Sequence, residues 1–371
     1  MRAYWERGKR RGFRSTARRV REELVSPKFG WSKRISRGSL HFRQLIRLPQ
    51  DLKEAKMCYA IYDLNLYPTS FDFAYFLAAA QIHAIKNELT EMFVVFVPRE
   101  NTHLASDESN HYSAETVAWR INNILIPLTQ ISPLCTGYAL FSSERESYDF
   151  IRGKTVFPEN TSQLYKPRWD MSQVFSDENM SPRSILEAPN MALKYIGEWS
   201  EANQIVDPMV TITIRTRNVD NTRNSDHKTW IDFAHWLKDR GYVPVFVPDT
   251  DAAWSVIFDD FHILAEASYN LALRQGLYES AFTNFFVTNG PAAGAVLNRS
   301  ISYVMTGLLI EGSEYASPSQ WDRIGVAIGS ERFSFAGSHQ LILWDPPELE
   351  NLIVVFKKLE HENSRPVIGW R

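Results

Sequence analysis

The chain has 371 residues, 44% of them hydrophobic and 13% aromatic, which is long enough for two compact domains and too apolar for global disorder. Its formal charge of -2 is a balance of two unequal parts: residues 1–47 hold 15 Lys and Arg against 3 Asp and Glu, and the remaining residues hold 26 against 40. Two cysteines, Cys58 and Cys135, exclude a disulfide scaffold and a four-cysteine zinc site, and no apolar run reaches the ~18 residues of a membrane span.

The chain opens with the basic arm, residues 1–50. In RAYWERGKRRGFRSTARRVR, residues 2–21, arginines alternate with Tyr4, Trp5, Phe13 and Val20. Three readings stand side by side: a solvated extension, a peripheral anchor on an anionic membrane surface through residues 1–47, and a transit peptide or nucleic-acid arm. Glu6, Glu22 and Glu23 count against a transit peptide, and no nucleic-acid module accompanies the arm, so no nucleic acid is expected. The arm lacks the apolar stretch of a secretory signal, so the expected address is the cytoplasm, with peripheral attachment to the inner face of the membrane if the arm is an anchor.

The ordered fold is predicted to begin near Met57. Residues 57–62 read as a strand ending at Asp63, and a loop with Pro68 follows. Phe73, Phe76, Leu77, Ala80 and Ala84 repeat at helical spacing over residues 71–86. The continuous apolar run Met92–Val97 predicts a strand buried on both faces, which completes a βαβ unit. Residues 115–126 predict a helix and 137–142 a strand. Residues 151–190, with Pro158, Pro167, Pro182 and Pro189, predict a long interdomain connection closing a first domain over 51–190.

The second half, 191–345, restarts the pattern. A helix over 191–203 precedes the strand Val210–Ile214. Trp230, Phe233, Ala234 and Leu237 form a helical stripe stopped by Gly241. Residues 242–247 predict a strand whose Pro244 points to an edge or bulge. A helix at 269–281, strands at 285–288 and 301–305, and a short helix between those strands follow. A separate terminal unit, 346–371, is predicted to open a helix with Asp345 as N-cap, Pro346 at the first position and Glu348 in the capping box.

Two consecutive parallel α/β halves predict Rossmann-like domains facing across a cleft, with ligands at the strands' carboxyl ends. Four loops carry candidate chemistry. Thr288-Asn-Gly-Pro-Ala-Ala-Gly294 joins a strand to a helix, and its small residues and free amides suit an anion such as a diphosphate, unless it is an ordinary turn. Arg215 and Arg217 at the end of a strand can hold phosphate bidentately, against a bland reading as loop ion pairs. Asp63 or Asp72 could deprotonate a hydroxyl, although Asp72 could equally be a helix-start residue. Asp249-Thr-Asp251 could hold a metal, but a capping loop explains it, and no histidine spacing marks a metal site, so none is expected.

On residues 208–310, the order IRTRN, VPVFVPDT and FFVTNGPAAGAVL resembles the donor half of two-Rossmann (GT-B) glycosyltransferases of the fucosyltransferase-like and heptosyltransferase-like branches. The resemblance implies a nucleotide-diphosphate sugar as donor, with no tightly bound cofactor. It places Arg215 or Arg217 and Asn289, Gly290, Ala292 and Ala293 at the donor, and the loop from Asp63 to Asp72 at the acceptor side. The implied reaction transfers a sugar to a glycan or lipid-linked acceptor in surface polysaccharide synthesis. A nucleotide-sugar epimerase and a non-catalytic binding or assembly protein are the alternatives. The chain departs from the fucosyltransferase-like pattern at Ile214, where that pattern has a histidine before its arginines.

Overall fold

The computed structural model describes residues 56–99, 112–175, 184–217, 220–255, 258 and 260–362; the basic arm lies outside them. The first domain is a four-stranded parallel sheet in the order β3-β2-β1-β4, where β1 is Met57–Asp63, β2 Glu91–Val97, β3 Cys135–Leu140 and β4 Val156–Phe157. Helix α1, Asp72–Lys86, covers one face with the predicted stripe, and Phe73, Phe76, Leu77, Ala80 and Ala84 are all fully buried. The alanines let the helix lie close to the sheet while the phenylalanines contribute about 1.5–3 kcal/mol each by burial. The run in β2 is shared between two cores: Val94 and Phe96 join α1, and Val95 and Val97 pack with Tyr148 on the other face.

Helix α2 is longer than its sequence prediction. It starts as Ala114–Arg120, passes through a π turn at Ile121–Leu125 and ends as Ile126–Gln130. The wider turn lets the helix continue through Pro127, which has no N–H to give. Helix α3, Glu144–Phe150, follows β3. The stretch expected to be only a connection contributes β4, paired to Tyr59 and Ala60, and a short helix α4, Ser172–Phe175.

Helix α5, Asn190–Ala202, enters the second domain. Its six parallel strands lie in the order β10-β9-β8-β5-β6-β7, with β5 Met209–Thr213, β6 Val243–Val247, β7 His262–Ile263, β8 Thr283–Val287, β9 Tyr303–Thr306 and β10 Gln340–Ile342. The first strand of the domain, β5, sits beside its fourth, β8. Strand order reverses between them, which is the doubly wound Rossmann arrangement, and the crevice at that point is where such sheets bind ligands. Pro244 is tolerated because the next strand outward, β7, pairs only with Val245 and Phe246.

Helix α6, His227–Lys238, ends as predicted, with Gly241 in the left-handed region at φ +82. Helices α7, Leu271–Ser280, α8, Ala293–Val296, and α9, Pro318–Arg323, follow. The last helix, α10, spans Leu349–Glu362 and starts later than predicted. Asp345 does not cap it. The Asp345 carbonyl instead accepts the Gly307 N–H at 2.9 Å, so this stretch stays tied to the end of β9. Helix α10 is no separate unit in space, since Leu352, Val355, Phe356 and Leu359 are part of the second domain's core.

The domains share a core. Leu271, Ala293 and Leu297 of the second domain belong to the same buried cluster as α1 and β1 of the first. The chain crossing between them is stitched by polar bonds: Ile185 N–H to Leu297 O, Glu187 N–H to Ile131 O, and Ala188 N–H to Glu279 Oε1 at 2.7 Å.

Candidate functional site

The carboxyl ends of both sheets open onto a cleft of about 650 Å³ between the domains. From the first domain it is lined by the loop after β1, including Ser70, Phe71 and Asp72, and by Trp119, Arg120 and Asn123 of α2. From the second it is lined by the loops after β5, β6 and β8, with Arg215, Arg217, Asp249, Thr250, Asn289 and Gly290. The two strongest sequence signals therefore converge at the β5–β8 switch point.

Among the described residues, the cleft carries six arginines (Arg120, Arg215, Arg217, Arg223, Arg274 and Arg323), no lysine, and three carboxylates, Asp72, Asp249 and Glu314. Three of the arginines are paired with carboxylates: Arg217 with Asp249 and Asp251, Arg223 with Asp220, and Arg323 with Asp170. The guanidinium of Arg215 is pushed down to about 10, first by burial and then by the neighbouring charge of Arg223.

The arginines are held differently. Arg215 is 6% exposed and donates to the Asp220 carbonyl at 2.8 Å and to Asn224 Oδ1. Arg223 pairs closely with Asp220 at 2.7 Å and reaches the Thr288 carbonyl at 3.1 Å, so it braces the β5 loop against the end of β8. That bracing also fixes Asp220, which sits in the left-handed region at φ 49 and accepts from Ser313 Oγ at 2.8 Å. Among the described residues, the Arg217 side chain makes only long ion pairs, 3.9 Å to Asp249 and 3.8 Å to Asp251. Pairs this loose and partly solvated are worth about 0–1 kcal/mol, so a diphosphate can displace them. The Asp-x-Asp triplet thus meets an arginine, and no group of three or more metal-ligating side chains occurs among the described residues.

Asp72 lies in the first turn of α1, exposed and on the cleft wall. Arg120, 9% exposed, donates its Nε to the Thr69 carbonyl and so fixes the loop that presents Asp72. Asp63 is elsewhere. It is 2% exposed at the end of β1, where it accepts from Asn65 Nδ2 at 2.7 Å and Tyr148 OH at 2.9 Å and pairs with Lys166 at 3.1 Å. With its oxygens so engaged and no face on the cleft, Asp63 is a structural anion.

The small-residue turn divides similarly. Asn289 and Gly290 line the cleft, and Asn289 Oδ1 accepts the Ala292 N–H at 2.9 Å. Ala292 and Ala293 are each 1% exposed and pack into the core, and neither is on the lining of the cleft. Their size serves packing, and Gly290 does the same across the cleft: a Cβ there would lie 2.6 Å from Phe71 Cδ2. Phe71 of the first domain thereby rests on the β8 loop of the second, with Asp72 one residue on.

Arg223 belongs to the candidate loop after β5, whereas Arg120, Arg274 and Arg323 lie on helices that no motif marks. Arg274 carried a readable signal: it falls with Leu271, Leu277 and Tyr278 on the buried side of α7. An arginine on a helix's apolar stripe needs a reason to be there.

The fold and cleft define a two-domain Rossmann-like protein with an arginine-lined cleft at its switch point. No protein-family model and no curated protein matches the chain. Among solved structures it is similar to the glycosyl transferase family 9 protein from Veillonella parvula DSM 2008, at 9% identity and TM-score 0.47 over 83% of this chain and 98% of that one. It is also similar to E. coli ADP-heptose lps heptosyltransferase II, at 12% identity and TM-score 0.47 over 83% and 100% of the two chains. A third is E. coli heptosyltransferase WaaC with ADP, at 10% identity and TM-score 0.39 over 82% and 99%. Likenesses at this identity assign no residue a role; the roles come from the cleft.

Proposed function

We propose that the protein is a glycosyltransferase that moves a sugar from a nucleoside-diphosphate donor to a hydroxyl of a glycan or lipid-linked acceptor in surface polysaccharide synthesis. One observation carries this reading: the arginine-rich end of the second sheet faces an exposed carboxylate, Asp72, presented by the first domain across a closed-in cleft. An anion site opposite a base is what displacement of a diphosphate by a hydroxyl requires. Fold alone would not support it, since Rossmann-like domains host many chemistries.

The topology orients the donor. The diphosphate lies at the β5–β8 switch point beside Arg215, Arg217 and the Asn289–Gly290 amides, and the nucleoside runs toward the β6 side, past Asp249 and Thr250. The sugar then points to Asp72. Asp72 takes the acceptor proton, the acceptor oxygen forms a bond to the anomeric carbon from the face opposite the phosphate, and the bond from that carbon to the diphosphate oxygen breaks. The diphosphate departs with an added negative charge, which the guanidinium groups stabilise in place of a metal ion. Configuration at the sugar inverts.

No helix among the described residues is long and apolar enough to cross a membrane. The excess of basic side chains in residues 1–47 would bring the enzyme to the anionic cytoplasmic membrane face, where lipid-linked acceptors are found.

The test is a panel of nucleoside diphosphates in thermal melts. A donor-site ligand at about 100 times its Kd adds about 2.7 kcal/mol, a rise of several degrees. At least one diphosphate at millimolar concentration should produce it, and its nucleotide sugar should turn over only with an acceptor present. A panel without any shift overturns the reading, and turnover without an acceptor would reassign the cleft to a nucleotide-sugar epimerase.

A further inference from the structure

Arg274 differs from Arg217, Arg223 and Arg323 in what surrounds it. It is 4% exposed, yet it lines the cleft. Its Nε donates to the Ala267 carbonyl at 2.8 Å, and one terminal nitrogen contacts Tyr278 OH at 3.5 Å. Tyr278 OH in turn meets Thr213 Oγ1, on the last residue of β5, at 2.9 Å. The guanidinium plane is thus held from two sides beneath the carboxyl end of β5. No carboxylate pairs with it among the described residues, whereas Arg217, Arg223 and Arg323 face Asp249, Asp220 and Asp170 respectively.

A guanidinium stays charged at any physiological pH. Burying one without a counter-charge is unfavourable, and proteins answer that by pairing it. Here Arg215, 6% exposed, is a second buried guanidinium on the same cleft. The counter-charge is therefore expected from a ligand.

We infer that Arg274 is the innermost anion-binding group of the cleft and that it takes the phosphate next to the nucleoside. The placement rests on the donor-site reading above. Ala267, to which Arg274 is tied, lies in the 3₁₀ turn Ala265–Ser268 after β7, on the nucleoside side of the β5–β8 switch point. The phosphate nearest that side is the one esterified to the ribose. Arg217 and the Asn289–Gly290 turn are then left for the terminal phosphate, which becomes the leaving oxygen's partner.

The experiment compares full-length wild type with Arg274→Gln and Arg274→Lys by calorimetric titration. The probes are the nucleoside diphosphate that gives the largest thermal shift, its monophosphate and its nucleoside. Gln can still donate to the Ala267 carbonyl but carries no charge. Loss of a charge-assisted bond predicts about a 10- to 100-fold weaker Kd for both phosphorylated ligands. Nucleoside affinity should stay within about twofold, because no charge is involved. A purely structural role would lower all three affinities together or none, and either result overturns the inference. A loss confined to the diphosphate overturns the placement on the inner phosphate.

Should Arg274→Gln melt below the assay temperature, Arg274→Lys carries the test. Charge without the planar fork predicts about a 3- to 10-fold loss limited to the phosphorylated ligands, and unchanged affinity refutes the assignment. If wild type binds no nucleoside diphosphate, the glycosyltransferase reading fails by itself. Inorganic pyrophosphate then decides the anion site: binding that the Gln variant loses retains it, and absence of binding ends it.

Discussion

Replacing Gly290 by alanine adds one methyl group where the two domains meet. That Cβ would lie 2.6 Å from Phe71 Cδ2, 3.0 Å from its Cγ and 3.1 Å from its Cβ, against 3.4–4 Å for ordinary contact. Because Phe71 Cβ is itself too close, rotating the ring cannot clear the overlap; the backbone at Phe71 or Gly290 has to move by up to about 1 Å. Overpacking of this kind costs about 1–3 kcal/mol. In a protein of this size that corresponds to a melting temperature lowered by roughly 1–4 °C. The larger effect falls on turnover. Asp72 follows Phe71, and a displacement of about 1 Å of a catalytic group costs on the order of 100-fold in rate. Release of nucleoside diphosphate from the donor, followed beside thermal melts, reads both quantities. Phe71→Ala removes the two closest contacts, to Cδ2 and Cγ, and leaves the 3.1 Å approach of Cβ, so the double variant should recover part of the loss, at least about 1 kcal/mol relative to the sum of the single changes. A Gly290→Ala protein that melts and turns over like wild type, or one that Phe71→Ala does not relieve, would refute the contact as the element that sets Asp72 against the second domain.

The two aspartates of the first loop should separate cleanly. Asp72→Asn is expected to keep nucleoside-diphosphate affinity and melting temperature while turnover falls by about 100- to 10,000-fold, and retained turnover excludes Asp72 as the base. Asp63→Asn is expected to do the reverse, losing about 1.5–3 kcal/mol of stability through its weakened bonds to Lys166 and Tyr148, with donor affinity unchanged. Burial and the nearby charge of Glu187 raise the Glu279 carboxyl above its usual 4.5. Its contribution to stability is therefore full below about pH 4.5 and lost as pH rises through the raised value, so the advantage of Glu279→Gln in melts should grow between pH 4.5 and 8; a constant difference contradicts this. Deleting residues 1–47 should release the protein from anionic vesicles and spare turnover of a soluble acceptor, and vesicle binding by the full chain should weaken with salt.

The strands were legible because parallel strands buried on both faces leave uninterrupted apolar runs, and Met92–Val97 and Phe285–Val287 are such runs. Arg215, Arg217 and Asn289 were legible because a polar residue directly after such a strand has one place to go, the carboxyl edge of the sheet. Asp63 and Asp72 could not be told apart this way. Both belong to one strand-to-helix crossing, and only Lys166 and Tyr148, about a hundred residues later, claim Asp63 for the interior. Gly290 posed the same difficulty: a glycine after a strand announces a close approach, but not whether a ligand or Phe71 makes it.

Helical arginines are the least legible class, because most lie on solvated faces and the pattern of charge alone does not mark the exceptions. Arg120 and Arg274 are buried on two helices more than 150 residues apart, and only the docking of the domains brings them to one cleft. The chain's charge acquires its meaning there. Outside the first 47 residues acidic side chains exceed basic ones, 40 to 26, so most of the body repels a nucleotide sugar. Six arginines are gathered on the lining of the cleft, and on the glycosyltransferase proposal those not neutralised by a carboxylate would raise the local concentration of an anionic donor and stabilise the diphosphate it leaves behind.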